Sequence, residues 1–226
     1  MKKNTYIGIS FIILVFGIIF VPKIVDRLQK GTVVDTNRSS KSIETEQDAT
    51  PEMATLSEVP AFKFINQQRD TITNLSYKGK VYVVEFFFST CPSICPVMNT
   101  NMLKIQEAYK DNESFAIASF TIDPLNDTPE VLKEYADKYG ANHLQWNFLT
   151  GDKSDILKLS NEGFKLYAAE NEEAEGGFEH SGLFALIDQE GFVRSRIDEY
   201  GNPIIYYNGL EDEGVDMLIE DIKKLL

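Results

Sequence analysis

Two cysteines four positions apart, Cys91 and Cys95, are the residues whose types and spacing best suit chemistry. They are the only cysteines among 226 residues. Side chains at positions i and i+4 converge when the intervening turn is close to helical, so the pair could share a metal ion or form an intramolecular disulfide. The spacing leaves both interpretations open, together with a role as a dithiol redox pair.

The neighbouring elements place the cysteines at the junction between a strand and a helix. Residues 81–88, VYVVEFFF, form a β-branched and aromatic run that is typical of a central strand buried on both faces. From Pro96 onward, apolar residues follow a helical spacing, and proline suits the first turn of a helix. The partial positive charge at a helix N-terminus lowers the pKa of a nearby thiol and favours the thiolate, which binds soft metals and attacks disulfides.

The choice of metal depends on which other residues could serve as ligands. A structural zinc site usually has four protein ligands, and the two histidines, His143 and His180, do not follow zinc-finger spacing. Reduced copper accepts two thiolates and one imidazole in a low-coordinate site. A structural disulfide is the competing interpretation, although closing so short a loop removes little entropy from the unfolded chain. We expect His143 to be an ordinary histidine without a ligand role.

The remaining sequence predicts an α/β domain built on a mixed sheet flanked by helices. Thr128 and Pro129 supply an N-cap and a first-turn proline for a helix that ends at Gly140. The other predicted elements are a strand at 115–122, a short strand at 143–149, a helix from near Asp152, a hairpin at 181–198 and a terminal helix at 211–226. This order is compatible with a thioredoxin-like fold.

The N-terminal part of the chain differs in composition from the rest. The run YIGISFIILVFGIIFV at 6–21 is uncharged and follows two lysines, so residues 1–25 are predicted to be a transmembrane anchor, with a cleaved signal peptide as the alternative. No small-x-small cleavage site follows the run, which favours the anchor. Residues 26–57 are polar and predict a flexible tether, and residues 58–226 form the folded domain. The positive-inside rule then predicts a single-pass protein of the cytoplasmic membrane, with this domain on the extracytoplasmic (periplasmic) side.

The charge of the chain argues against one class of partner. There are 35 acidic residues and 22 basic ones, which gives a formal net charge of −13. Such a chain repels the phosphates of nucleic acids, so we expect no nucleic-acid partner.

Three stretches of the chain resemble the SCO/SenC family of copper proteins. They are FFFSTCPSICPVM at 86–98, FTIDPLNDTPEVLKEYADKYG at 120–140 and EHSGLFALIDQEG at 179–191. The combination is far more specific than any one stretch, and the resemblance covers roughly residues 58–226.

The resemblance implies a thioredoxin-like fold, an N-terminal membrane anchor, and copper, as Cu(I) or Cu(II), held by Cys91, Cys95 and His180. It also implies delivery of copper to the copper-bearing subunit of cytochrome c oxidase. The alternative function is that of a thiol-disulfide oxidoreductase, in which Cys91 and Cys95 reduce the copper-ligand cysteines of the oxidase. Other copper chaperones or thioredoxin-like reductants are the further partners we expect.

Two aspartates, Asp123 and Asp127, match the family's acidic loop. A role in turn formation and capping explains them as well as a direct role at the site. Asn126 stands where the family often has arginine, so an ion pair at this point of the loop is not expected.

For two further groups of residues near the cysteines and His180, we favour a structural role over a role in metal binding. Met98 and Met102 follow Cys95 on one helical face, and core packing explains them better than thioether ligation. The acidic segment 170–179 precedes His180 and is predicted to be a solvated, mobile loop.

Overall fold

The structure, a computed structural model, describes residues 14–18, 20–22 and 53–226. By its internal contacts the chain divides into two compact units, Met1–Asp48 and Ala49–Leu226. The described residues of the first unit are helical.

The predicted anchor and tether fall largely on residues that the structure does not describe. Of the anchor at 1–25, only 14–18 and 20–22 are described, and residues 26–52 of the tether lie outside the described part. No helix within the described residues is long and apolar enough to cross a membrane. The transmembrane assignment therefore stays a prediction.

The second unit alternates strands with helices, as the sequence predicts. Its strands are β1 (Met53–Glu58), β2 (Lys63–Asn66), β3 (Thr71–Thr73), β4 (Val81–Phe87), β5 (Phe115–Thr121), β6 (Trp146–Thr150), β7 (Ala168–Glu170), β8 (Phe178–His180), β9 (Leu183–Ile187), β10 (Phe192–Arg196) and β11 (Tyr207–Asn208). Its α-helices are α1 (Cys95–Tyr109), α2 (Pro129–Tyr139), α3 (Lys153–Lys158) and α4 (Asp212–Leu225). A 3-10 turn at Asn74–Tyr77 and a π-helical turn at Leu159–Phe164 complete the list.

Most of the strands form one mixed sheet in the order β1-β10-β9-β4-β5-β6-β2-β3, with β11 paired to β9. The central strands β4, β5 and β6 run parallel, and β9 runs antiparallel to β4. Strands β7 and β8 form a separate two-stranded antiparallel sheet.

Strand β4 lies at the centre of the sheet because both of its faces are covered. All seven of its residues are buried. Alternate residues of a strand face opposite sides, and here Phe86 packs against Phe164 after α3 while Phe87 packs against Tyr135 of α2. The predicted mixed sheet with helical elements on both faces is confirmed.

Helix α2 begins and ends where its sequence signals predict. The Thr128 hydroxyl accepts a hydrogen bond from the Val131 N–H, and Pro129 opens the first turn. Gly140 terminates the helix with a φ of 73°, a left-handed conformation that glycine adopts without strain.

The boundary between tether and domain requires a correction. Residues 53–57, which were assigned to the tether, belong to β1, which pairs with β10 at the edge of the sheet. Met53 is buried, but the remaining side chains of the strand are more exposed. Because one buried residue in six is a weak apolar signal, composition alone placed the start of the domain too late.

Candidate metal centre

The two cysteines lie at the strand-to-helix junction, as predicted. Cys91 follows β4 in a turn, and its backbone N–H donates a hydrogen bond to the carbonyl of Phe88 at 3.2 Å. Cys95 is the first residue of α1. Both are free thiols with buried side chains, and they do not form a disulfide.

The structure also places His180 beside the two cysteines, although it lies 85 positions after Cys95 in the chain. It is the last residue of β8, and its Nε2 lies 3.0 Å from the sulfur of Cys95. The ligand atoms of Cys91, Cys95 and His180 all lie within 4.8 Å of one another. The three residues expected from the family resemblance therefore form one cluster.

The hydrogen bonds of His180 select the tautomer that can bind a metal. Its Nδ1 lies 3.1 Å from the carbonyl oxygen of Ser181. A carbonyl only accepts hydrogen bonds, so Nδ1 carries the proton and donates it. In the neutral ring, Nε2 then presents its lone pair toward the sulfurs, and a backbone group fixes the ring orientation as is usual for histidine ligands.

The two thiols differ strongly in acidity. The neighbouring Cys95 thiol, helped by His180, lowers the pKa of Cys91 to about 3, although burial acts in the opposite direction. The Cys91 sulfur and burial together raise the pKa of Cys95. Cys91 is therefore the thiolate of the pair, and Cys95 holds a proton that it must lose when a metal binds.

A cavity of about 320 Å³ adjoins the cluster and gives it a path to solvent. Phe88, Ile94, Tyr167 and Phe178 line its apolar part, and His180 and Cys91 line its polar part. The ring of Phe88 meets the imidazole of His180 nearly edge-on, with centroids 5.9 Å apart. A ligand or partner group can therefore approach the cluster from this side.

The donor set favours a soft metal ion. Two sulfurs and one imidazole nitrogen match the ligand preferences of Cu(I). They do not suit Ca²⁺ or Mg²⁺, which bind oxygen ligands. Within the described residues no carboxylate belongs to the cluster. A structural zinc site would need a fourth protein ligand.

The acidic loop contributes an anchor for the cysteine turn. Asp127 is fully buried, and its carboxylate accepts hydrogen bonds from the backbone N–H of Ser89 at 3.0 Å and from the hydroxyls of Ser89 and Thr121. Asn126 donates to Asp127 at 2.9 Å and to Ser89 at 3.2 Å. The contacts at this point of the loop are hydrogen bonds and not an ion pair. Through them Asp127 fixes the position of Ser89, two residues before Cys91.

Asp123, the other acid of this loop, is half-buried. Burial and the neighbouring Asp127 raise its pKa, against the opposing charge of Lys153. It does not join the cluster of ligand atoms.

His143 and the two methionines occupy the roles that we favoured for them. His143 is buried, accepts a hydrogen bond from the Gln145 N–H at Nδ1 (3.0 Å) and lies 3.2 Å through Nε2 from the carbonyl of Tyr109. It does not belong to the cysteine cluster. Met98 and Met102 are fully buried in the core.

The acidic segment before His180 is exposed to solvent, as predicted, and residues 171–177 form the turns that connect two short strands. Residues 168–180 form the β7–β8 hairpin, in which Ala168 pairs with His180 and Glu170 pairs with Phe178. The glutamates face solvent, and the strand pairing was not predicted because it is confined to the two ends of the segment.

Glu85 is a buried acid that the sequence analysis did not single out. It lies in β4 with no exposed surface, and its Oε1 accepts a hydrogen bond from Ser119 at 2.6 Å. Its Oε2 has no hydrogen-bond partner in the described part of the chain. Burial raises the pKa of Glu85 to about 7, although Ser119 and His180 act against this. The sequence signal for this residue was a single acid within the apolar run VYVVEFFF.

Fold and site together define a thioredoxin-like α/β protein with two thiols and one imidazole gathered at the end of its central strand. The sequence model of the SCO1/SenC family matches residues 50–213. The chain belongs to the SCO1/SenC family, which confirms the resemblance found in its three motifs.

Individual relatives support the same assignment. The SCO1 protein homolog of Bacillus subtilis (strain 168) is 34% identical over 168 residues, which cover 74% of this chain and 81% of that protein. The crystal structure of a SCO1/SenC family lipoprotein from Bacillus anthracis str. Ames is 33% identical, with a TM-score of 0.65 over 74% of this chain and 94% of that one. BsSco, a member of the Sco family of cytochrome c oxidase assembly proteins, is 33% identical, with a TM-score of 0.62 over 74% and 92% of the two chains.

Proposed function

We propose that this protein binds copper through Cys91, Cys95 and His180 and delivers it to the copper-bearing subunit of cytochrome c oxidase. The observation that carries the proposal is the convergence of the three ligand atoms within 4.8 Å. Family membership supports it, because BsSco, at 33% identity, belongs to a family of cytochrome c oxidase assembly proteins.

The cluster is suited to receiving copper with little rearrangement. Cys91 supplies a thiolate at neutral pH because its pKa is lowered to about 3. His180 offers Nε2 as a ligand in the neutral tautomer that the Ser181 carbonyl favours through Nδ1. The Cys95 proton leaves on binding, and a three-ligand site satisfies Cu(I).

The same features suit release of copper to another protein. Three ligands leave room for an acceptor's ligand, and the cavity beside the cluster opens it to solvent. An acceptor can therefore bind the ion before all three bonds to this protein are broken.

The proposed location is the extracytoplasmic side of the cytoplasmic membrane. The support is the uncharged run at 6–21, which would hold the chain as a single-pass protein and let the polar segment act as its tether. At this location the domain can meet the oxidase subunit, and other copper chaperones or thioredoxin-like reductants can load it or keep its thiols reduced.

Copper affinity in matched histidine variants tests the proposed ligands. Full-length wild type, His180→Gln and His143→Gln are compared by competition with a chromogenic Cu(I) chelator under anaerobic, reducing conditions. We expect His180→Gln to weaken binding at least about tenfold, because the amide cannot replace an imidazole ligand, and His143→Gln to bind as wild type does.

A glutathione redox titration of the same variants separates the metal site from a dithiol redox pair. The midpoint potential of Cys91 and Cys95 should change little in His180→Gln. Equal copper affinity of wild type and His180→Gln would exclude the three-ligand site and leave the oxidoreductase function as the better explanation.

A further inference from the structure

The β7–β8 hairpin carries His180 but, among the residues that the structure describes, shares no strand pairing with the large sheet. Its base is closed by the Ser181 N–H, which donates to the Tyr167 carbonyl at 2.9 Å. An isolated two-stranded hairpin is marginally stable in water. The position of His180 relative to the cysteines therefore depends on side-chain contacts between the hairpin and the rest of the domain.

One set of these contacts is made with Phe88, just before the cysteine turn. The rings of Phe178 and Phe88 lie 5.3 Å apart, and the His180 ring lies 5.9 Å from Phe88. Residues two apart on a strand face the same side, so Phe178 and His180 dock together. At the hairpin tip, a Cβ added to Gly176 would lie 2.7 Å from the Phe88 ring, so the tip backbone also lies against Phe88.

A second set of contacts comes from Lys153 at the start of α3. Its ammonium lies 5.1 Å from the centroid of the Phe178 ring and forms an ion pair with Glu170. Glu170 and Phe178 are cross-strand partners, so Lys153 contacts both strands at one position. The Lys153 side chain is 26% exposed, which strengthens its contact with the Phe178 ring, whereas Glu170 is 58% exposed and the ion pair contributes less.

We infer that Lys153 is a positioning residue: it holds the β7–β8 hairpin against Phe88 and so keeps His180 beside the two sulfur atoms. This inference rests on the copper-binding function proposed above. Lys153 is not one of the three clustered residues. It acts by raising the fraction of molecules in which the hairpin is docked, and apparent copper affinity scales with that fraction.

Hydrogen–deuterium exchange of the metal-free full chain tests the first step, with no copper involved. Lys153→Met keeps most of the alkyl stem but removes the charge, whereas Lys153→Arg keeps both the ion pair and the contact with the ring. The control is Lys158→Met, on the same helix. We expect faster exchange of residues 168–180 in Lys153→Met, wild-type exchange there in the other two variants, and no change in β4 or β5.

Copper competition tests the second step. Lys153→Met should bind Cu(I) about threefold to tenfold more weakly than wild type, and Lys153→Arg should restore the affinity. In a His180→Gln background, Lys153→Met should weaken binding no further, because its effect acts through His180.

Two results would overturn the inference. One is wild-type exchange of the hairpin in Lys153→Met, and the other is an equal loss of copper affinity in the wild-type and His180→Gln backgrounds. If His180→Gln alone leaves copper affinity unchanged, the proposed ligand set fails, and the exchange of the metal-free hairpin then decides by itself whether Lys153 holds it.

Discussion

Replacement of Glu85 by glutamine should stabilise the protein at alkaline pH and change it little at acidic pH. Burial raises the pKa of Glu85 from 4.5 to about 7 in the folded state. A group whose pKa rises on folding binds its proton more tightly in the native state. The stability that it contributes is fully present below the ordinary pKa and is lost as the pH rises through the folded value.

The size of the effect follows from the shift. A rise from 4.5 to about 7 corresponds to about 3 kcal/mol, since one pKa unit is worth about 1.4 kcal/mol. At about pH 5.5 the unfolded chain has already released most of this proton, so the change between about pH 5.5 and about pH 9 is about 2 kcal/mol. Glutamine keeps the Oε1 acceptor for Ser119 and cannot ionise.

Urea denaturation of the reduced, metal-free full chain measures the free energy of unfolding. The difference between Glu85→Gln and wild type should grow by about 2 kcal/mol in favour of the variant from about pH 5.5 to about pH 9. Glu107→Gln, at an exposed position of α1, is the matched control and should show no such change. A constant difference between Glu85→Gln and wild type across this range would refute the argument.

Three other perturbations have expected outcomes. Iodoacetamide at about pH 6 should alkylate Cys91 much faster than Cys95 in metal-free protein, because the pKa of Cys91 is lowered to about 3; equal labelling of the two peptides in mass spectrometry would contradict this. Asp221→Asn should lower the free energy of unfolding by about 2–3 kcal/mol, since Arg196 donates to both oxygens of the buried carboxylate at 2.8 and 2.9 Å; a loss below about 1 kcal/mol in urea denaturation would argue against it. Burial lowers the pKa of His143, so the stability that it contributes is present above about pH 6.5 and is lost as the pH falls below that value; His143→Gln should show a weaker fall in stability on acidification, again measured in urea.

The elements nearest the cysteines were predictable because their signals are local. An apolar run specified β4, and the Thr128–Pro129 cap with Gly140 specified the two ends of α2. Cys91 and Cys95 lie only four positions apart in the chain, so their convergence follows from one turn. His180 came from the family resemblance, since residue spacing alone does not bring a distant strand to this point.

The features that the sequence did not reveal depend on contacts between distant segments. The β7–β8 hairpin is polar, and its docking rests on Lys153 and Phe88, which lie elsewhere in the chain. Strand β1 buries Met53 but little else, and it is specified by pairing with β10. The environment of Glu85 is a tertiary property as well, because Ser119 on the neighbouring strand supplies its hydrogen bond.

Metallation of cytochrome c oxidase in cells tests the central claim most directly. Cells whose only copy of this protein is full-length wild type, His180→Gln or His143→Gln are grown on limiting copper, and the copper content of the purified oxidase is measured. The account predicts that His180→Gln lowers the copper content to the level of cells lacking the protein and that His143→Gln matches wild type. Full metallation with His180→Gln would contradict the account, because delivery would then need no copper ligand beyond the two cysteines.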